Sequence, residues 1–376
     1  MSSHKIFNDP IYGFISVPSG ILMNVIEHPY FQRLRRIKQL GFTHYVYPGA
    51  VHTRFNHALG AFHLMSEALY HLQQKGNQIT AEEKEAAQLA ILLHDIGHGP
   101  FSHVLEHSLI NAQHESITLW MMNELNKEFN GSLNLCIELF QGLHPKKFLH
   151  QLISSQLDVD RLDYLKRDSF YTGVVEGNIG IDRLIMMMDV VDNELVLEEK
   201  AIYTVEKFLS SRRIMYLQVY LHKTALIVEK MLKKLIGLLV KYSKKDAIFE
   251  SIEDLMNSKV DSDENRKEFI RKFVQLDDND IWYLLKKCSQ HDNPEISELA
   301  SAILNRKLYK VKISEPSTIQ SFENSEKETF IVDFKAYDPK EGEILILNKN
   351  SSVRPLSSFN DFQYLLQKTT RVYTIQ

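Results

Sequence analysis

The chain opens with apolar residues alternating with turn formers over 4–20 (HKIFNDPIYGFISVPSG), a pattern that predicts a short β-hairpin. From Ile21 the period lengthens to that of a helix. Over 24–40, Ile26, Phe31, Leu34, Ile37 and Leu40 fall on one side, with Arg33, Arg35, Arg36 and Lys38 around the rest. That spacing predicts one amphipathic helix closed by Gly41. A loop over 43–51 leads into a helix from about Thr53 to Gln74. Thr80 and Glu83 stand in capping-box spacing ahead of Ala86, Ala87, Leu89, Ala90, Ile91, Leu92 and Leu93, so 81–93 reads as a helix buried on most sides. Gly97, Gly99 and Pro100 then break it. Helical spacing returns, with interruptions, over 103–127, 133–142 and 146–168. The longest predicted helix covers 203–241, and shorter ones follow to about 305. Near Leu308 the character changes: VKIS, ETFIVDFKAY, EILILN and RVYTIQ are β-branched or aromatic runs, with one helical segment at 359–367 and a polar loop over 316–327. The pattern predicts a mainly α protein: a β-hairpin over 1–20, a helical body over 21–307 and a small α+β appendage over 308–376.

Composition adds bounds. The 376 residues are 44% apolar and 24% charged, as expected of a soluble globular chain long enough for a large core. A net charge of −4 argues against a nucleic-acid coat or a polybasic membrane binder, while leaving room for a local basic pocket. Cys136 and Cys288 stand far apart in no metal-type spacing and suit free thiols in a reducing compartment. No basic-then-apolar leader pattern opens the chain, and even 226–240 is broken by Glu229, Lys230, Lys233 and Lys234. A cytoplasmic location without membrane contact is expected.

Histidine is the residue type that departs from an even spread. Of the chain's 16, five (His94, His98, His103, His107 and His114) fall within 94–114. The buried 81–93 helix delivers His94 and Asp95 side by side at its end. A buried carboxylate beside an imidazole is costly unless compensated, and a metal ion compensates it well.

These residues carry a resemblance. His57, the His94-Asp95 pair and Asp160 match the H…HD…D set of the HD superfamily of metal-dependent phosphohydrolases. FQRLRRIKQLGFTHYVYPGAVHTRFNHALG (31–60), HDIGHGPFSH (94–103), DVDRLDYLKRD (158–168) and YLHK (220–223) resemble, in the same order, the deoxynucleoside triphosphate (dNTP) triphosphohydrolases. The match is best to the branch that includes the vertebrate SAM-and-HD-domain enzyme, without its SAM domain. It runs in patches from about Lys5 to beyond Tyr220, with a weaker echo in the appendage.

The resemblance implies an HD-domain helical core that cleaves a dNTP at the α-phosphorus, giving a deoxynucleoside and tripolyphosphate. It assigns the metal to His57, His94, Asp95 and Asp160, a mixed nitrogen and oxygen set suited to Mn, Fe, Zn or Mg. A second Mg would accompany the substrate phosphates. The resident metal would polarise the α-phosphate and lower the pKa of a bound water. His103 matches the general acid that protonates the leaving 5′-oxygen, a task suited to imidazole at working pH. His98 and His114 match supporting histidines, and Glu106, where close relatives carry aspartate, a relay to His103. Arg54, Arg161 and Arg212 match triphosphate contacts, Arg161 in place of a lysine. Asp160, Tyr164 and Asp168 follow at i, i+4 and i+8 on one helix face. The resemblance gives Tyr164 to the sugar ring, Asp168 and Gln39 to its 3′-hydroxyl, and Leu40 with Tyr164 to the space a 2′-hydroxyl would need. Tyr220 matches a base-proximal tyrosine, and Tyr216 stands where relatives have histidine. Without the family, Tyr164, Tyr216 and Tyr220 read as core aromatics. His107 matches no family position and reads as helix surface. His63 and His71 read as a packed and a solvated residue, and the charged 241–246 cluster as the solvated end of a helix.

Regulation is a separate expectation. Lys5, Asn8, Glu27, Gln32, Arg35, Arg183, Lys200, Arg306 and Lys310 resemble positions that contact an activating dNTP or GTP at subunit interfaces in relatives. Glu27 replaces an aspartate that reads guanine. Taken singly, each reads equally as ordinary surface. Together they imply a nucleotide-dependent homo-oligomer, with a tetramer favoured. The rival readings are an HD hydrolase of another phosphoester, such as a nucleoside monophosphate or an alarmone, a nucleic-acid-processing module, which the acidic charge disfavours, and an HD scaffold that only binds.

Overall fold

The computed structural model describes residues 4–101, 112–242, 247–314 and 328–376, with backbone alone over 247–251. The predicted hairpin forms from β1 (His4–Asp9) and β2 (Gly13–Pro18), paired antiparallel from His4↔Pro18 to Asp9↔Gly13. Asp9 organises its turn, because its Oδ1 accepts from the backbone N–H groups of Ile11 and Tyr12.

The helix expected over 24–40 is not continuous. α1 (Ile21–Glu27) stops at His28, α2 (Pro29–Gln32) restarts, and a 3₁₀ turn (Arg33–Arg36) gives way to extended chain at Ile37. Pro29 explains the break. It disfavours helical backbone at the residue before it, and His28 sits at φ −66°, ψ 140°. The His28 ring then caps α2 by accepting from the Tyr30 N–H.

α3 (Arg54–Gln74) and α4 (Ala81–Leu93) both carry capping boxes, Thr53 with Asn56 and Thr80 with Glu83. The two helices pack together; α5 (His114–Glu128) packs on α6 (Asn134–Phe140), and α6 and α7 (Lys147–Ile153) pack on α4. α8 (Val159–Thr172) is capped by the Asp158 carboxylate, crosses α3, and ends at Gly173, whose φ of 75° gives the left-handed turn. Gly60 makes that crossing close. A Cβ there would lie 2.0 Å from Asp163 Oδ1 and 2.1 Å from Arg167 Nη2.

After α9 (Ile181–Met186), two unexpected strands appear: β3 (Met188–Val191) and β4 (Glu194–Glu198), joined through Asp192 and Asn193 at φ 50° and 68°. The helix expected over 203–241 is also divided. α10 (Ile202–Met215) runs into a π-helical turn (Tyr216–Tyr220), and α11 (Lys223–Tyr242) follows. α12 (Ala247–Met256), α13 (Asp263–Phe273), α14 (Asp278–Cys288) and α15 (Pro294–Leu304) complete the body.

β5 (Val311–Ser314), β6 (Thr329–Phe334) and β9 (Thr369–Ile375) form a sheet of order β5-β9-β6. β7 (Leu345–Leu347) and β8 (Val353–Pro355) instead extend β3 and β4, with β7 parallel to β4. The segment expected to be helical at 359–367 is a 3₁₀ run over Asn360–Leu366. The architecture is mainly α, with an N-terminal hairpin and small C-terminal sheets, as the pattern predicted. The polar loop at 316–327 and the 243–246 part of the charged cluster lie outside the described residues. Among the described residues no helix is long and apolar enough to cross a membrane.

Candidate active site and metal centre

The site lies where α3, α4 and α8 meet. His57, on α3, is fully buried, and its Nδ1 lies 2.7 Å from Asp163 Oδ2. His94 ends α4, with its Nδ1 donating to the Ile91 carbonyl at 2.6 Å. Both rings therefore have one nitrogen committed and present Nε2 to the same point. Asp160, in the first turn of α8, completes the convergence. Its Oδ1 is 3.0 Å from His57 Nε2 and 3.4 Å from His94 Nε2, and the two nitrogens are 3.2 Å apart. These three side chains form the described residues' one His/Asp cluster of metal-binding geometry.

Electrostatics favour a cation there. Burial alone would lower the His57 pKa, but the carboxylates of Asp160 and Asp163 carry it up to about 10. Burial alone would likewise raise Asp160, yet the His57 and His94 rings hold it well below the usual carboxylate range. The cluster thus demands positive charge between its carboxylates, and its donor set fits a divalent ion.

Asp95 borders the cluster without closing it. Its Oδ1 lies 3.4 Å from His94 Nε2 and 3.2 Å from His98 Nε2, while Oδ2 accepts from Arg54 Nη1 and stands 3.9 Å from His57 Nε2. The buried guanidinium competes for the carboxylate. Behind His57, Asp163 pairs with Arg167 at 2.9 and 3.0 Å, and Arg167 Nη1 reaches Asp9 Oδ2 at 2.8 Å. Sequence reasoning missed this chain, although the i, i+4 spacing of Asp163 and Arg167 in DVDRLDYLKRD signals a helical ion pair.

A cavity of about 480 Å³ opens from the cluster. Arg54, Asp95, His98, His114 and Asp160 line the end beside it. The His98 and His114 rings stack at 4.0 Å with planes 19° apart. Burial and the Arg54 charge push His98 well below its usual range, so its ring is neutral at pH 7. Gln39, Leu40, Tyr164, Asp168 and Tyr220 line the next part of the wall, and Tyr216 lies on it too. Gln39 Oε1 is buried with no hydrogen-bond partner among the described residues. Asp168 is already engaged: His52 Nε2 lies 2.7 Å from Oδ1, and the Tyr220 hydroxyl donates to Oδ2 at 2.8 Å. His52 in turn stacks on Tyr171.

Two expected phosphate contacts are placed elsewhere. Arg161 donates through Nε to the Ser155 carbonyl and to Asp158, and Arg212 donates through Nη1 to Gln156 Oε1. Neither lines the cavity, since local carboxylate and amide oxygens hold them back. His103, Glu106 and His107 lie outside the described residues.

The residues expected to contact an effector form separate surface groups. Lys5 pairs with Glu27 at 3.0 Å, Gln32 donates to Ile26 O and accepts from Arg35, and Asn8 is exposed on the same hairpin. Arg183 donates to the Lys200 carbonyl, and Arg306 to Tyr45 O. Lys310 borders a shallow cavity with Lys223.

Comparison with known proteins decides the family. The HD domain model matches residues 54–168, and the HD associated region matches residues 179–268. The chain belongs to the HD-domain phosphohydrolases. It is 31% identical over 316 residues to the Bacillus subtilis protein YwfO, covering 82% of this chain and 72% of that one. It is 32% identical over 331 residues to the deoxynucleoside triphosphate triphosphohydrolase SAMHD1 homolog of Dictyostelium discoideum, covering 82% of this chain and 60% of that protein. The crystal structure of a phosphohydrolase from Bacteroides thetaiotaomicron superposes with a TM-score of 0.89 at 42% identity, each chain covered fully (100%). A structure from Aquifex aeolicus aligns with a TM-score of 0.78 at 27% identity, covering 99% of this chain and 96% of that one.

Proposed function

We propose that this HD-domain phosphohydrolase cleaves dNTPs at the α-phosphorus, releasing a deoxynucleoside and tripolyphosphate. The observation that carries the reading is the order of residues along one cavity wall. Asp160 stands in the metal cluster, and Tyr164 and Asp168 follow one and two turns further along α8, each lining the same space. A phosphate at the cluster would thus have an aromatic ring and a carboxylate beside its sugar. Relatives named as dNTP triphosphohydrolases support the same substrate class.

His57, His94 and Asp160 would hold the divalent ion, with Asp95 at its edge. When bound, that ion supplies Lewis acidity at the α-phosphate. Arg54 adds fixed positive charge to the phosphate end, and neutral His98 can orient a phosphate oxygen or a water there by hydrogen bonding. His103 would protonate the leaving 5′-oxygen as water adds to phosphorus and the P–O5′ bond breaks. Leu40 and Tyr164 would crowd a 2′-hydroxyl, and Gln39 Oε1 offers an acceptor for the 3′-hydroxyl. Arg161 and Arg212 would join the triphosphate through guanidinium nitrogens not engaged by Asp158 and Gln156, or by turning away from them. The surface groups around Lys5, Arg183 and Lys310 would bind an activating nucleotide between subunits of a homotetramer.

The test is product analysis by ion-exchange chromatography after incubation with the four dNTPs, and separately the four NTPs, with Mn²⁺ or Mg²⁺. Tripolyphosphate from dNTPs only, lost in His94→Ala, is the expected result. Release of orthophosphate or pyrophosphate would move the cut to another phosphorus and favour a different phosphoester.

A further inference from the structure

Beyond Asp168 the cavity wall is completed by α11. Tyr220 is tied to Asp168 Oδ2 at 2.8 Å, about 12 Å along α8 from Asp160 at the helical rise. Leu221, Leu226 and Glu229 line the same cavity. Leu226 and Glu229 are three apart and share one face of α11, which packs against the Gly41–Tyr45 turn next to Leu40. This part of the wall is largely apolar, so a carboxylate there is out of place. No hydrogen bond or ion pair among the described residues engages Glu229. Burial pushes its carboxyl up to about 7, with Lys233 one turn along pulling it back. Lys38, also on the lining, has its ammonium 5.7 Å from the Trp282 ring centroid. A half-buried acid without a partner, facing a ligand cavity, is costly for the empty protein and is offset when a ligand supplies donors.

Taking the substrate to be a dNTP as proposed above, we infer that Glu229 reads the base and selects guanine. Burial disfavours the charge on Glu229, and two donors brought by a ligand restore it; the carboxylate so ionised only accepts hydrogen bonds, and its two oxygens match two adjacent donors. Guanine offers that pair, N1–H and the 2-amino group. Adenine and cytosine place a ring-nitrogen lone pair beside their amino group, and thymine flanks its one N–H with two carbonyls. Each of these sets a lone pair against Glu229. A glutamine in its place both donates and accepts, which suits adenine.

The test is a competition assay with equal concentrations of all four dNTPs in one tube, so that any activation is common to all. The released deoxynucleosides are quantified for wild type, Glu229→Gln and Glu229→Ala. Wild type should favour deoxyguanosine by about tenfold or more. Glu229→Gln should shift the guanine-to-adenine ratio towards adenine by about tenfold or more, and Glu229→Ala should flatten it. Continued total turnover in either variant shows that the cavity is intact. Turnover of dNTPs with an unchanged ratio in both variants overturns the role of Glu229 and leaves the dNTP reading standing. No dNTP cleavage by wild type under any metal, with cleavage of another phosphoester, overturns both.

Discussion

At the scale of single residues, the site depends on side chains that never face the cavity. His57 can offer Nε2 in one direction only because Asp163 holds Nδ1, and Asp163 is held by both nitrogens of the Arg167 fork. Replacing Asp163 with Asn removes the charge that fixes the ring while keeping the volume. Metal affinity, read by titration against a competing chelator, should fall about 10- to 100-fold, and unchanged affinity would refute the orienting role. The convergence of His57, His94 and Asp160 was legible in the sequence, because they carry a spaced motif with Asp95, which the fold leaves at the edge of the cluster. Of their supports, the Asp163–Arg167 pair is signalled by its i, i+4 spacing, but Asp9 is not, since it is far away in sequence and becomes a neighbour only when the hairpin docks. Arg161 and Arg212 show the converse. A motif position states the type of side chain, and local oxygens such as those of Asp158 and Gln156 decide where it rests.

At the scale of elements, the π-helical turn Tyr216–Tyr220 is where the cavity wall meets the C-terminal sheet. Four side chains, from the 43–51 loop, β6 and β9, hold it. Tyr47 donates to Gln218 O at 2.8 Å, Arg371 to Leu217 O at 2.9 Å and Tyr373 to Leu221 O at 2.8 Å, while Phe334 stacks on Tyr216 with planes 8° apart. Tyr373→Phe leaves the Leu221 carbonyl without its donor and should cost about 1–3 kcal/mol. The loss should appear locally, as faster hydrogen–deuterium exchange over residues 216–221. Exchange rising evenly over the whole chain would show instead that the bond supports only global stability. The helical period of 203–241 gives no warning of this turn, because a π turn keeps the chain helical and differs only in the step of its hydrogen bonds. The strands β3 and β4 were legible in principle: MDVV and ELVLE flank Asp192-Asn193, a hairpin signal masked by the helices on either side. Pro29 likewise announced the break between α1 and α2, outweighed by a stripe of apolar residues that runs through it.

At the scale of the whole molecule, the C-terminal strands are part of the body. β7 pairs in parallel with β4, whose Val196 and Leu197 are 1% and 3% exposed. A chain ending near residue 310 would uncover that edge and the apolar side chains behind it. It should lose its cooperative thermal transition or aggregate, as followed by circular dichroism and light scattering. A soluble fragment with an unchanged midpoint would mean that the body folds without these strands. The mainly helical class was readable from periodicity alone, because long amphipathic runs dominate the chain. The parallel β4–β7 pairing was not, since it joins strands as far apart in sequence as Val196 and Leu345.

The carboxylate of Asp9 at the tip of the N-terminal hairpin ends the line that starts at the metal cluster: His57, Asp163, Arg167, Asp9. Seen as thermodynamics, this line makes hairpin docking and metal binding two ends of one equilibrium. Whatever free energy the docked hairpin lends to the aim of His57, a bound ion returns to the docking of the hairpin. Chelation should therefore loosen the first strands of the chain, and a ligand that seizes Lys5 or Asn8 on the hairpin surface should change how tightly the ion is kept.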